Sequence, residues 1–231
     1  MRVVIATGRI GALGPAAAGE AVAQAFVAVP GRRAEVAVVP LAAGGEDLGE
    51  ALSAVGWQGV VVPASETAES EGLDVHTSTV GTGTVLAAAV ASGERRIVVD
   101  LTRATAVDAG AGILAGLGAA ADVPLDQGLS GLTGLSRVDL AAARAAVEGV
   151  ELVAVVTPRE QEQLLLGMRG VASARAFASG LHVSAALDAD AAIAALASAV
   201  GVEDAPGLGA GGGAALAIVA LGGRVLSGVD L

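Results

Sequence analysis

The sequence predicts an α/β fold with largely parallel sheets and flanking helices. Short apolar runs rich in β-branched residues alternate with longer stretches of helical spacing, a pattern typical of parallel strands joined by crossover helices. Residues 97–99 (Ile-Val-Val) are apolar at every position, as expected of a strand buried on both faces. No repeat of fixed period is present, so a repeat architecture is not predicted.

Local signals justify the ends of several elements. Pro15 suits the first position of a helix, and Pro40 ends a strand. Thr157 and Glu160, with a proline between them, form a capping-box pattern that predicts a helix from residue 158 to about residue 168. The predicted strands cover residues 2–6, 34–39, 59–62, 97–99, 152–156 and 224–226. The predicted helices cover residues 15–29, 46–55, 79–91, 109–118, 139–147, 158–168, 185–200 and 214–221.

Two segments are predicted to be surface loops. Residues 119–135 show no regular hydrophobic period. Residues 64–74 are predicted to form a solvated loop or a frayed helix, because they carry the acidic side chains Glu66, Glu69, Glu71 and Asp74.

Composition excludes several classes of protein. The 231 residues carry a net charge of −11, which argues against nucleic acids and anionic membranes as partners. There is no cysteine and no lysine, so thiol catalysis, Schiff-base lysines and a Walker-type phosphate lysine are excluded. Residues 205–223 are uncharged, but their continuous apolar part, residues 214–221, is well short of the ~20 residues of a membrane span. Since the N-terminus lacks a signal-peptide pattern, we expect a soluble, cytoplasmic protein.

The polar loop after residues 97–99 is the first candidate site. Asp108 can cap the helix that follows, or it can bind a metal or a substrate. Gly110 and Gly112 let backbone or ligand approach closely, and a helix N-terminus after a central strand favours anions. Arg103 in the same loop can bind a carboxylate or a phosphate through two parallel hydrogen bonds.

Arg9 lies in the loop after the first predicted strand, which is also a place where α/β folds bind ligands. Either arginine can equally be an ordinary exposed residue. If the protein binds a small anion, we expect Arg103 to contribute more to the affinity than Arg9. Glycines flank Arg9, so ordering its loop costs more conformational entropy.

Two glycine-rich turns are further candidates. Gly44-Gly45-Glu46 follows a strand and opens a helix, and Glu46 can bind a metal or a ligand hydroxyl or simply favour the helix dipole. The run at residues 207–212 fits G-x-G-x-x-G but does not follow a predicted strand, so a turn into a small-residue helix is the competing interpretation. His76 and His182 have no neighbouring serine or acid pattern, and we expect surface or packing roles for them.

Several loops together carry a resemblance that spans nearly the whole chain in the same order. The matching motifs are VVIA at residues 3–6, VPLAAGGE at 39–46, TSTVGTG at 77–83, residues 100–112, VT at 156–157 with the later Gly167, PGLGAGG at 206–212 and LSGV at 226–229. These motifs resemble those of the bacterial glycerate kinases. The resemblance implies a two-lobed fold, with residues 1–64 and 204–231 in one lobe and residues 65–203 in the other.

The same resemblance implies ATP- and magnesium-dependent phosphorylation of glycerate, a small organic acid. It makes Asp108, Arg103 and Arg9 the candidate catalytic residues, and Glu46 and Asp108 the candidate metal ligands. The substrate-binding candidates are Gly44, Gly45, Glu46, Thr82, Gly83 and Gly110. The nucleotide-binding candidates are Gly209, Gly211 and Gly212.

Several polar residues of the family pattern are replaced in this chain. Ala43 stands in place of an acid, and Val107 stands in place of an asparagine. Thr102-Arg103-Ala104 stands where the family has Gly-Gly-Ser. These replacements favour an alternative hypothesis, a non-catalytic paralogue that binds a small organic acid or a partner subunit.

Overall fold

A computed structural model describes residues 1–29, 34–65 and 72–231, which form two compact units, residues 1–58 and residues 59–231. The predicted acidic loop falls partly outside the described residues, because Glu66, Glu69 and Glu71 are not among them. Asp74 is described, and its carboxylate accepts hydrogen bonds from the backbone N–H of His76 and the hydroxyl of Thr77.

The first unit is a β-α-β-α segment. Its elements are β1 (Arg2–Thr7), α1 (Pro15–Val27), β2 (Glu35–Pro40) and α2 (Leu48–Ala54). β1 and β2 pair in parallel, from Arg2 opposite Glu35 to Thr7 opposite Pro40. The parallel pairing across a helix confirms the βαβ unit that the alternation of strand and helix patterns predicts.

The second unit is built on a four-stranded parallel sheet. The strands described in this unit are β3 (Val60–Pro63), β4 (Arg96–Asp100), β5 (Ala120–Ala121), β6 (Val138–Asp139), β7 (Glu151–Val156) and β8 (Arg224–Ser227). The sheet order is β3-β4-β7-β8, while β5 and β6 form a separate antiparallel pair. Residues 97–99 in β4 are fully buried, so the prediction of a strand covered on both faces is confirmed.

Helices cover this sheet and complete the core of the second unit. They are α3 (Val80–Ala91), α4 (Ala111–Gly116), α5 (Gly128–Gly131), α6 (Ala141–Ala146), α7 (Val171–Ala178), α8 (Val183–Val200) and α9 (Ala215–Ala220). α8 is long and apolar enough to cross a membrane by length and composition alone. Its buried residues include Ile193, Leu196 and Val200, which belong to the hydrophobic core of the second unit.

The boundary between the units differs from the expected division of the lobes. β4 and β1 lie in different sheets. Residues 204–231, however, belong to the second unit and not to the first, because β8 pairs in parallel with β7 from Arg224 to Ser227. β3 also joins this sheet, so the boundary lies at residue 58 instead of residue 64.

Two of the predicted segments are wrong in detail. The capping box at Thr157 forms, but only one 3₁₀ turn follows it, Glu160–Glu162. The carboxylate of Asp204 accepts hydrogen bonds from the backbone N–H groups of Leu165 and Leu166, which a longer helix would have bonded internally.

The expected surface loop at 119–135 instead contributes buried leucines to the core, namely Leu125, Leu129, Leu132 and Leu135. Intervening glycines hide the helical spacing of these leucines in the sequence.

Candidate functional site

The second unit has a cleft of about 630 Å³ beside the carboxyl ends of β4 and β7. Its volume suits a small ligand, and this edge of a parallel sheet is where α/β proteins bind ligands. The walls come from the loop after β4, the loop after β7, one face of α7 and the glycine-rich turn before α9. The residues that line it include Thr102, Arg103, Thr157, Arg159, Glu160, Arg175, Gly209 and Gly212.

Arginines dominate the charge of this cleft. Arg103 and Arg159 are exposed, and neither makes a hydrogen bond or an ion pair with any other residue that the structure describes. Arg175 is half-buried on α7, on the helix face that lines the cleft. The arrangement offers guanidinium donors to an anion, since guanidinium matches carboxylate and phosphate in two-point hydrogen bonds.

Two intramolecular hydrogen-bond sets fix the loops that carry these arginines. Asp100, at the end of β4, accepts from the backbone N–H and the hydroxyl of Thr102, at 3.0 and 2.6 Å. Glu160 accepts from the backbone N–H and the hydroxyl of Thr157, at 3.2 and 2.7 Å, and from the N–H of Gly211 at 3.2 Å. Among the described residues, Glu160 supplies the one carboxylate that lines the cleft, and this carboxylate is already bound to its own loop and to the glycine-rich turn.

Asp108 lies beneath the loop and is completely buried. One carboxylate oxygen accepts from the backbone N–H of Gly110 at 2.9 Å. The other accepts from the backbone N–H of Thr79 at 2.8 Å and of Gly112 at 3.2 Å. The hydroxyl of Thr79 lies 3.0 Å from both oxygens. Burial raises the pKa of Asp108, and these hydrogen bonds act in the opposite direction.

The hydrogen bonds of Asp108 join two helix beginnings. Thr79 directly precedes α3, and Gly110 directly precedes α4. The hydroxyl of Thr79 also accepts from the backbone N–H of Ile113 at 3.0 Å. Asp108 thus accepts hydrogen bonds from free N–H groups at the beginnings of both helices. This is the capping role, which the sequence analysis gives as the alternative to ligand binding.

The other predicted residues near this loop are also buried. The hydroxyl of Thr82 accepts from the backbone N–H of Ser65 at 3.0 Å. Gly83 packs α3 on α4, since a Cβ there would lie 2.8 Å from the carbonyl oxygen of Gly112. Gly110 has a φ of 78°, and a Cβ there would lie 2.5 Å from the Cβ of Ala217 on α9. Each of these residues has a packing or hydrogen-bonding role within the second unit.

The predicted nucleotide-binding glycines let backbone segments approach each other closely. A Cβ on Gly212 would overlap the carbonyl oxygen of Ala106, and a Cβ on Gly209 would overlap that of Leu164. A Cβ on Gly211 would lie 2.9 Å from the Cβ of Leu101. Gly209 and Gly212 nevertheless also line the cleft.

The predicted residues of the first unit form an ion cluster. Arg9 Nε donates to Asp47 Oδ2 at 2.8 Å, and Arg9 Nη2 lies 2.7 Å from Glu46 Oε1. The hydrogen bonds that Arg9 donates to Asp47 raise the pKa of Arg9, and the charges of Asp47 and Glu46 act in the same direction. Gly44 and Gly45 form the turn before this cluster, and Gly45 has a φ of 76°. Arg9 therefore already has carboxylate partners, whereas Arg103 has none among the described residues.

Sequence reasoning missed Arg159 and Arg175 as members of the site. Arg159 could have been found from its place, three residues after the end of a strand that pairs with β4. Arg175 could not have been found in this way, because the sequence did not predict α7. Among the described residues, no group of three or more His, Asp or Glu side chains could hold a metal ion.

Comparison with known proteins assigns the chain to a family. Residues 61–231 match the model of the glycerate kinase family. The fold is similar to the crystal structure of a protein described as glycerate kinase 2 from Salmonella typhimurium LT2, with a TM-score of 0.83 and 21% sequence identity. That match covers 100% of this chain and 73% of the solved chain. No curated protein matches the sequence. Because the family model spans most of the residues, the chain belongs to the glycerate kinase family.

Proposed function

We propose that this protein is an ATP-dependent phosphotransferase that phosphorylates glycerate, with its charged ligands bound in the cleft beside β4 and β7. The observation that carries the proposal is the pair of arginines without described partners, Arg103 and Arg159, at the carboxyl edge of a parallel sheet. Membership of the glycerate kinase family supports the choice of reaction and substrate. We also propose that the protein is soluble and cytoplasmic, as the sequence suggests.

The role proposed for the arginines is charge neutralisation. Phosphoryl transfer depends mainly on positioning and on stabilising the charge of the transferred group. Guanidinium groups from two loops can bind phosphoryl oxygens from two sides. The hydrogen bonds from Thr102 to Asp100 and from Thr157 to Glu160 stabilise the conformations of those loops. We assign Asp108 a positioning role, since its carboxylate is buried and its hydrogen bonds hold the loop against α3 and α4.

The magnesium ion that the family implies has a poor fit to the predicted ligands. Asp108 is completely buried and accepts hydrogen bonds at both oxygens, whereas Glu46 pairs with Arg9 in the first unit. Magnesium requires near-octahedral oxygen coordination and commonly keeps several waters. The phosphate groups of ATP fit the arginine-lined cleft, but the described residues form no ready ligand set for the metal.

Incubation of the purified protein with glycerate, ATP and magnesium tests the proposal. We expect ADP and phosphoglycerate to appear together, at a rate within the ordinary kinase range of about 1–100 s⁻¹. A parallel reaction without glycerate measures simple ATP hydrolysis. ADP formation that is no faster with glycerate than without it would refute the proposed activity.

A second candidate function has its own support in the structure. The carboxylates of Asp108 and Glu160 each accept internal hydrogen bonds at both oxygens, so neither offers a ready general base to a substrate hydroxyl. This observation favours the non-catalytic alternative, in which the cleft binds a small organic acid without turnover. Binding of glycerate without formation of phosphoglycerate would support that alternative.

A further inference from the structure

Arg103 and Arg159 bring positive charge into the cleft that no carboxylate of the described residues pairs with. Arg103 and Arg159 line it without a hydrogen-bond or ion-pair partner among the described residues, and the carboxylate of Glu160 is the one that lines the cleft within that part of the chain. Glu160 accepts three hydrogen bonds, two from Thr157 and one from Gly211. This local excess of cations occurs in a chain whose net charge is −11, so the general surface charge does not account for it.

Arg103 and Arg159 occupy equivalent places on neighbouring strands. Arg103 lies three residues beyond the end of β4, and Arg159 lies three residues beyond the end of β7. The strands pair in parallel with Asp100 opposite Val155, so both loops leave the sheet at the same edge. Two guanidinium groups from separate loops can therefore approach one ligand from two sides.

The hydroxyl groups of Thr102 and Thr157, which lie beside these arginines, already donate hydrogen bonds within the protein. Thr102 donates its hydroxyl proton to Asp100, and Thr157 donates to Glu160. The guanidinium groups are the charged donors that remain for a ligand. One guanidinium suffices for a single carboxylate, and a second adds binding energy when the ligand carries a second negative charge.

We propose that the cleft selects a small dianion, such as a phosphate group or a dicarboxylate, over a monocarboxylate such as glycerate alone. Arg103 and Arg159 are the residues that determine this preference. The inference rests on the proposed function for the location of the ligand, and it adds the charge class that the cleft binds best. It requires no catalytic turnover, so binding alone can test it.

Calorimetric titration of the full chain with inorganic phosphate, succinate and glycerate, without ATP and at matched ionic strength, tests this inference. We expect at least one of the two dianions to bind about tenfold more tightly than glycerate. The better ligand shows whether the second charge comes from a phosphate or from a second carboxylate. Arg103→Gln and Arg159→Gln should each weaken binding of that dianion about tenfold and reduce its advantage over glycerate.

Arg169→Gln is the matched control, because Arg169 is exposed, lies on the same segment as Arg159 and does not line the cleft. It removes the same charge and should leave dianion affinity within about twofold of the wild type, since exposed charges at a distance are screened by salt. All three variants should keep the melting temperature of the parent. Equal affinity for glycerate and dianions, equal losses in all three variants, or no binding of either dianion would overturn the inference. ADP formation in the kinase assay decides the proposed function separately.

Discussion

Replacement of Asp108 by asparagine is expected to destabilise the second unit by about 3 kcal/mol or more. Both oxygens of the carboxyl group accept backbone N–H groups, Gly110 on one side and Thr79 with Gly112 on the other. The amide NH₂ of asparagine would face one of these donors in either orientation. A buried N–H group would then lose its acceptor at a position that is closed to solvent.

Urea unfolding of Asp108→Asn and of the wild type measures this difference in the free energy of unfolding. Asp188→Asn is the control, because Asp188 is exposed on α8 and should change stability by less than about 0.5 kcal/mol. If Asp108 acted only as a ligand of a substrate or metal, its replacement would abolish activity and leave stability unchanged. That outcome would contradict the positioning role.

Substitution of Gly212 by alanine is expected to cost about 3 kcal/mol of stability, by adding overpacking to backbone strain. The φ of Gly212 is 69°, in the left-handed region that other residues rarely adopt. A Cβ there would also overlap the carbonyl oxygen of Ala106, in the loop that carries Asp108. Backbone must shift to accommodate it, because neither partner is the end of a flexible side chain.

Gly222→Ala separates the cost of backbone strain from the cost of overpacking. Gly222 has a φ of 87°, but a Cβ there would meet nothing within 4 Å. We expect this control to lose only the strain of the left-handed conformation, about 1 kcal/mol. Thermal and urea unfolding of both variants provides the comparison. Equal losses in the two variants would show that the close approach of Gly212 to Ala106 does not matter.

The fold was predictable where a local pattern and its packing agree. Residues 97–99 are apolar and β-branched at every position, and they form the buried centre of the sheet. The reciprocal hydrogen bonds of the capping box also formed between Thr157 and Glu160. The helix expected after it did not form, because Asp204, far along the chain, binds the backbone N–H groups of Leu165 and Leu166. A single sequence gives no sign of this competition.

In the candidate site too, the role of a residue was predictable where it depends on the residue's own loop, and not where it depends on a distant part of the chain. Arg103 was identified from the sequence, because its loop follows the central strand. The principal partner of Asp108 is Thr79, which lies 29 residues earlier, so the sequence alone left its capping and ligand roles open. The cluster of Arg9 with Glu46 and Asp47 depends on two loops of the first unit meeting, which composition and spacing did not reveal. Arg159 lies within the helix that the sequence predicts from residue 158, and the sequence predicts no binding role for it.

We expect charged ligands to bind in the arginine-lined cleft of the second unit, and not at the ion cluster of Arg9. Calorimetric titration of ATP and inorganic phosphate into Arg103→Ala and Arg9→Ala distinguishes these two places. A charge-assisted hydrogen bond contributes about 1.5–3 kcal/mol, so Arg103→Ala should weaken binding about tenfold or more. Arg9→Ala should have a smaller effect, because Asp47 and Glu46 already occupy its guanidinium. Equal small effects, or a larger loss in Arg9→Ala, would contradict the claim.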